Sequence, residues 1–423
     1  MKYYIFICLH LIIFFAWLTG VSVHSYGQGY QTFKSEQIRI SSESKFKIGP
    51  FYLFPAFDMN LGYDNNIYLK NVESDPITDY VARFSPQITA YIISPNSMIL
   101  SFAEIPEYVY YFELENERGW NNTFSFDGKF LLLNRLVLSG NYRSSSVKQR
   151  PSSEFDILTY VNTNLITGRL FYETYRDTSI GVSFSERDLS YEDVIESIGD
   201  IAYASALDRK ERSANVEFYY KIFSDSQFFI RAGYTKYKFD NPEAQFKNSH
   251  SYEVRSGLLL PLLGRIRGML SLGFKKLIPD EEGKTGYSGP VGDTSLEMSL
   301  RRLNLRLFYY RDIPFSYGRN IYFKENRYGV GISYYFGQSF KVNYDSSYGV
   351  SDYPGESSIQ LQNGNDEEIE RTRTYWIHRA GFAYRIYENL GFGLSVDKWM
   401  RIRNNSDAKT ENLIIGIYLA YDF

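Results

Sequence analysis

The chain has 423 residues, 18% of them aromatic (39 Tyr, 32 Phe and 4 Trp), with 44% hydrophobic residues and a formal net charge of −3. A mean hydropathy of −0.33 excludes a helical membrane bundle, the aromatic content excludes a disordered chain, and a pI near 6.0 leaves no basic footprint for nucleic acid. The single cysteine, Cys8, sits in an N-terminal apolar run, so a mature chain without that run has no disulfide, iron–sulfur ligand or cysteine-based zinc site. Of four histidines only His250 and His378 lie beyond that region, and neither a metal nor a cofactor is expected.

The N-terminus reads as an export signal over residues 1–25. Lys2 supplies the positive start, Tyr3–Leu18 the apolar core, and Val21-Ser22-Val23-His24-Ser25 the small residues of a cleavage site. A permanent anchor is the alternative, but the run is shorter than the ~20 residues a spanning helix needs. Residues 26–50 are polar and Ser-rich and are expected to form a periplasmic lead-in strand or tail.

From residue 51 to 423 the pattern is one of alternation, which in a strand marks a sheet with two unlike faces. Phe57, Met59, Leu61 and Tyr63 alternate with Asp58, Asn60, Gly62 and Asp64. Ala214 to Ile222, Tyr328 to Phe336, Leu390 to Val396 and Leu413 to Phe423 repeat the pattern. Each apolar-faced run is about 9–11 residues, the length of a tilted bilayer-crossing strand. Eighteen such strands are expected, with 16 as the alternative count. They start near residues 51, 79, 98, 122, 136, 160, 179, 213, 227, 251, 266, 294, 303, 327, 339, 374, 390 and 412.

Long polar connections (65–78, 144–159, 186–212, 276–293 and 346–373) alternate with short ones (94–97, 132–135, 223–226, 262–265, 336–338 and 387–389). That is the signature of an all-β, antiparallel, up-and-down transmembrane barrel with both termini periplasmic. A soluble sandwich would not confine its long loops to every second connection, and no fixed-period repeat supports a propeller. Leu419, Tyr421 and Phe423 form an apolar, aromatic-ended last strand of the kind that directs insertion by the barrel-assembly machinery. The expected setting is the outer membrane of a Gram-negative bacterium, with outer-membrane lipid as the first partner.

Residues 46–69 contain a Gly49-Pro50-Phe51 entry, Pro55 within the first strand, and Tyr63-Asp64-x-Asn66 before the first long loop. This stretch resembles the opening strand of the putative beta-barrel porin 2 family. The resemblance implies an outer-membrane barrel associated with exopolysaccharide export, with periplasmic polysaccharide-export proteins and a glycan as partners.

If the apolar set faces lipid, the other set lines the lumen. Alternation places Arg143, Lys221, Arg231, Arg255, Arg267, Lys275, Arg301, Arg306, Lys341, Arg379 and Arg385 there, with Asp58, Asp127, Glu217, Glu253, Glu297, Asp345 and Asp397. Two readings stay open: opposite charges pair across strands and simply wet the lumen, or the basic excess attracts an anionic solute. Tyr219, Tyr237, Phe308, Tyr310, Tyr335 and Trp399 fall on the same face and offer ring surfaces to a sugar. The 186–212 loop carries a helix signal, Ser190 capping Glu192 and Asp193 ahead of Val194, Ile195, Ile198, Ile201, Ala202 and Leu207. GxSxG, Walker A and HExxH motifs are absent, and His378 falls on the apolar face beside Trp376, so no enzyme is expected. Three functions remain: a conduit for polysaccharide export, a general or anion-preferring diffusion porin, and a surface receptor or adhesin anchored by the barrel.

Overall fold

The computed structural model describes residues 30–70, 75–151, 158–174, 178–192, 194–195, 201–202, 204–222, 226–260, 266–316, 320–354, 359–360, 366–367, 372–387, 389–403 and 409–422. The leader expected over 1–25, its cleavage site and Phe423 lie outside the described residues.

A single antiparallel sheet carries eighteen long strands and closes on itself. The first six are β1 (Phe51–Asp64), β2 (Asp79–Ser94), β3 (Met98–Tyr111), β4 (Gly119–Leu132), β5 (Leu136–Gln149) and β6 (Thr159–Glu173). Next come β7 (Thr178–Tyr191), β8 (Arg209–Lys221), β9 (Gln227–Phe239), β10 (Ser249–Leu260), β11 (Ile266–Pro279) and β12 (Tyr287–Leu300). The circuit ends with β13 (Leu303–Asp312), β14 (Lys324–Phe336), β15 (Phe340–Asp352), β16 (Thr372–Tyr387), β17 (Leu390–Arg403) and β18 (Lys409–Asp422). Neighbours in sequence are neighbours in the wall, and β1 pairs with β18 from Ala56↔Asp422 to Asp64↔Ile414. Closure is what a sheet in lipid requires, because hydrocarbon offers no hydrogen bonds to an open edge. The wall begins and ends at the short-turn end of the cylinder.

The two faces separate by alternation. Leu272 is 67% exposed while Ser271 beside it is 2%, and Val216 is 57% exposed beside Glu217 at 5%. Apolar side chains therefore point outward and polar ones inward, the reverse of a soluble barrel.

Strand starts at the short-turn end match the alternation within a residue, from Phe51 to Leu390. Starts at the loop end, apart from β2 at Asp79, come earlier than expected, by four residues at Arg209 and seven at Tyr287, and most strands run 13–16 residues. The cause is chemical. Near the loop end the outward face itself turns polar, as with Glu186 and Asp188 on β7 or Lys210 and Arg212 on β8, so apolar alternation fades while the ladder continues.

Two expectations are corrected. Residues 26–50 hold a helix, α1 (Tyr30–Glu43), followed by a three-residue strand Phe46–Ile48 that pairs with β1, in place of a lead-in strand or tail. Among the described residues after Ser190 the expected helix is replaced by strand and 3-10 turn: Val194–Ile195 pairs antiparallel with Ile201–Ala202, and a 3-10 turn covers Ala204–Leu207. Pairing of the β-branched Val194, Ile195 and Ile201 prevails over the capping signal.

Inward rings lie flat on the wall. Phe308 faces Gly329 across the ladder, Tyr375 faces Gly349, Tyr418 faces Gly393 and Phe229 faces Gly257. In each case a Cβ at the glycine would overlap the ring. The glycines thus supply the seats on which large side chains fold against the wall instead of projecting into the lumen.

Candidate functional site: the barrel lumen

At the short-turn end α1 lies against the inward face. Phe33 and Ile40 are 3% and 0% exposed and pack with Tyr52, Ile93, Ile99 and Leu131. Their spacing, with Gln37 between them, is one helical face. The Gln37 side-chain amide donates to the carbonyls of Ser94 (2.9 Å) and Met98 (3.4 Å) and accepts from the Asn96 N–H (3.2 Å), which locks the helix onto the β2–β3 turn. Lys129 of β4 pairs with Glu36 at 2.7 Å.

Above the helix the inward charges form ion-paired sectors. Glu217 of β8 holds Arg231 of β9 at 3.2 Å and is also paired with Arg169 of β6; the Tyr219 hydroxyl donates to it at 3.1 Å. On β10, Arg255 pairs with Glu253 and reaches Asp312 of β13 at 3.7 Å, while Lys275 of β11 holds Asp312 at 3.0 Å. Arg267 pairs with Glu297 at 2.5 Å, Arg306 with Asp345 at 3.2 Å and Arg379 with Asp397 at 3.8 Å. Asp127 accepts from Asn141 at 2.5 Å, and Asp58 from Gln87 at 2.5 Å. Arg143 stands on β5 opposite Ser125 and Leu165. Arg385 sits at a register shift on β16, its backbone N–H donating to the Ser339 carbonyl at 2.7 Å.

Arg301 is corrected: it does not line the wall. It occupies the turn between β12 and β13, exposed and at φ +50°, because β12 ends at Leu300, short of where alternation from Glu297 would carry it.

The aromatic candidates divide. Tyr219 is 2% exposed, wedged between Phe171 (5.8 Å) and Phe229 (6.1 Å), and Tyr237 packs on Phe315 at 4.9 Å, so both are structural contacts. Tyr310, Tyr335 and Trp399 each lie beside a cation: Arg327 at 5.4 Å, Lys341 at 5.6 Å and Arg401 at 5.4 Å. Leu419 and Tyr421 face outward, across from Met59 and Phe57 on β1.

At the loop end the connections fold onto the wall. Ile313, Ile321 and Tyr322, between β13 and β14, pack with Tyr237, Phe239, Leu277, Tyr287 and Val291. Ala204 and Leu207 cover Val161, Leu189 and Tyr191, and Ile67 covers Val81, Val109 and Tyr111. Burial pushes the Tyr68 phenol above its ordinary range, and its hydrogen bond to the Glu117 carboxylate pushes the same way.

Several inward residues were missed in the sequence, among them Arg169, Arg209, Glu211, Asp312, Glu325, Arg327 and Arg401. Arg169 was legible by simple alternation with Leu170. Arg209, Glu211, Asp312 and Glu325 lie where the outward face is polar and the two faces look alike. His378 faces outward, as expected, and its Nδ1 lies within hydrogen-bond distance of the hydroxyls of Tyr344 (2.9 Å) and Ser346 (3.1 Å). Among the described residues no carboxylate or carboxamide is bonded to its other nitrogen.

The fold and its polar interior define a porin-like outer-membrane β-barrel. Residues 46–417 match the family described as putative beta-barrel porin 2, and the chain belongs to that family. Among solved structures the chain is similar to Pseudomonas aeruginosa OccK2 (OpdF), at 8% identity and TM-score 0.49, covering 88% of this chain and 98% of that one. Similar too are the outer membrane protein opdK of the same organism (9%, 0.46, 88% and 98%) and Acinetobacter baumannii OccAB3 (9%, 0.46, 88% and 99%). No curated protein matches the chain.

Proposed function

We propose that the barrel is a conduit across the outer membrane for a polar polymer, an exopolysaccharide, passing from the short-turn, periplasmic end to the loop end. The observation that carries this reading is the inward face: a wall of charged and hydroxyl-bearing side chains with ring–cation pairs at Tyr310, Tyr335 and Trp399. Sugars present hydroxyls and apolar C–H faces, and such a wall offers partners to both. Because most of the expected basic residues have acids beside them, the lumen suits a neutral or weakly charged chain better than a strongly anionic one. Periplasmic export proteins would meet the end that α1 partly fills, and the N-terminal segment and the Leu419–Phe423 signal would deliver the chain to the barrel-assembly machinery.

The test is twofold. Purified protein in planar bilayers should give steady channels with weak ion selectivity, and deletion of the gene should remove surface polymer while leaving other envelope proteins in place. A barrel that never conducts, with surface polymer unchanged on deletion, would favour a receptor or adhesin. A conducting barrel whose loss leaves the polymer intact would favour a diffusion porin.

A further inference from the structure

We infer that the outward face of β8–β11, at its loop end, is a binding site for the phosphates of an outer-leaflet glycolipid. The inference rests on the outer-membrane placement above, with the loop end facing outside. On β9 the outward residues run Phe228, Ile230, Ala232 and Tyr234, then Lys236 and Lys238. Tyr234 and Tyr252 touch at 5.3 Å between ring centres and mark the aromatic boundary of the apolar band. Lys236 is eight residues past Phe228; at about 3.4 Å per residue and a tilt of ~40° that is about 21 Å along the barrel axis, close to the ~25 Å height of an outer-membrane apolar band. The lysines therefore sit where headgroups lie.

Their pairing is unfavourable without an anion. Lys210 stands directly opposite Lys238, and Arg212 directly opposite Lys236, an arrangement of like charges that a sheet disfavours. Lys276 on β11, across from Tyr252, extends the group. Glu186 takes Arg212 at 2.9 Å and Asp188 takes Lys210 at 3.5 Å. Among the described residues, Lys236, Lys238 and Lys276 make no ion pair, and all three are exposed; the nearby Asp280 is held by His250 at 3.1 Å, across from Lys236. Elsewhere outward lysines near the loop end are met: Lys398 and Lys409 by Glu411, and Lys324 by Asp352. Unpaired ammonium groups just beyond an aromatic boundary are complementary to the phosphates of a phosphorylated glycolipid whose acyl chains lie along Val216, Ile230 and Val254.

The test uses the full-length protein folded in detergent, with bisphosphorylated lipid A titrated and retention counted by native mass spectrometry. Wild type should retain lipid A about a hundredfold more tightly than the K236Q/K238Q/K276Q variant. It should hold fully dephosphorylated lipid A as weakly as that variant holds the intact lipid, and K398Q/K409Q should bind like wild type. Equal retention by wild type and the triple variant, or of both lipids by wild type, would overturn the assignment. So would inorganic phosphate binding as tightly as the lipid. Conductance of the same samples keeps the two readings apart: a barrel that retains lipid A but never conducts supports the site and refutes only the conduit.

Discussion

Expelling α1 from the short-turn end tests how far that helix obstructs the path. Phe33→Asp with Ile40→Asp places two carboxylates where the structure buries two apolar side chains at 3% and 0% exposure, so the helix face can no longer dock. Eighteen strands spaced about 4.8 Å apart and tilted about 40° give a backbone radius of about 18 Å. Side chains projecting about 5 Å, half the spacing of packed sheets, leave a free radius of about 13 Å and an area of about 530 Å². A helix about 11 Å across occupies about 95 Å², a little under a fifth of that area. Loss of α1 should raise single-channel conductance in planar bilayers by about a fifth at most, since the helix narrows one end only. An unchanged or smaller conductance would place α1 outside the current path. A severalfold rise would mean that the lumen is far narrower than the strand count implies, and the reasoning would fail in the other direction.

Other expectations follow from the wall itself. Gly349→Val should lift the Tyr375 ring and break its 2.5 Å hydrogen bond to Glu325, costing about 1–3 kcal/mol in urea unfolding; in a Tyr375→Ala background, where no ring is left to displace, the same change should cost much less. Glu217→Gln leaves Arg169 and Arg231 facing each other and should move the zero-current potential in a salt gradient toward anion preference, with about 3 kcal/mol lost in stability. Leu272→Arg puts a charge on the lipid face at the middle of β11 and should cost about 2–4 kcal/mol in vesicles; an unaffected unfolding midpoint would show that the face does not meet lipid.

The barrel was legible because lipid imposes a hard rule: one face apolar, the other polar, and no free edge. Ala214-Asn215-Val216-Glu217 already announces which side each residue takes. What escaped reading lies where that rule relaxes. Near the loop end both faces of Arg209–Arg212 carry polar side chains, and alternation carries no information. The helix at Tyr30–Glu43 was hidden by its polar composition, although Phe33, Gln37 and Ile40 keep helical spacing. Which acid meets which base was only partly readable, since pairs such as Arg255–Asp312 span non-neighbouring strands. Alternation also carried Arg301 into the lumen, because the sequence does not show that β12 stops one residue before it.

The seam between β1 and β18 has a further consequence. At its loop end Asn65 accepts from the Leu413 N–H on its side-chain oxygen at 2.7 Å, although the two residues are 348 positions apart, and Asn66 donates to the Glu411 carbonyl at 2.8 Å. These clasps sit on the seam where the wall meets itself, so they belong to the closed barrel. A copy stalled before its eighteenth strand would carry two raw borders into hydrocarbon. Such an intermediate has few stable resting states: it must be held by a chaperoning surface, be destroyed, or borrow a border from a second chain. Completeness is thereby written into the topology as a checkpoint, with the two asparagines as its latch.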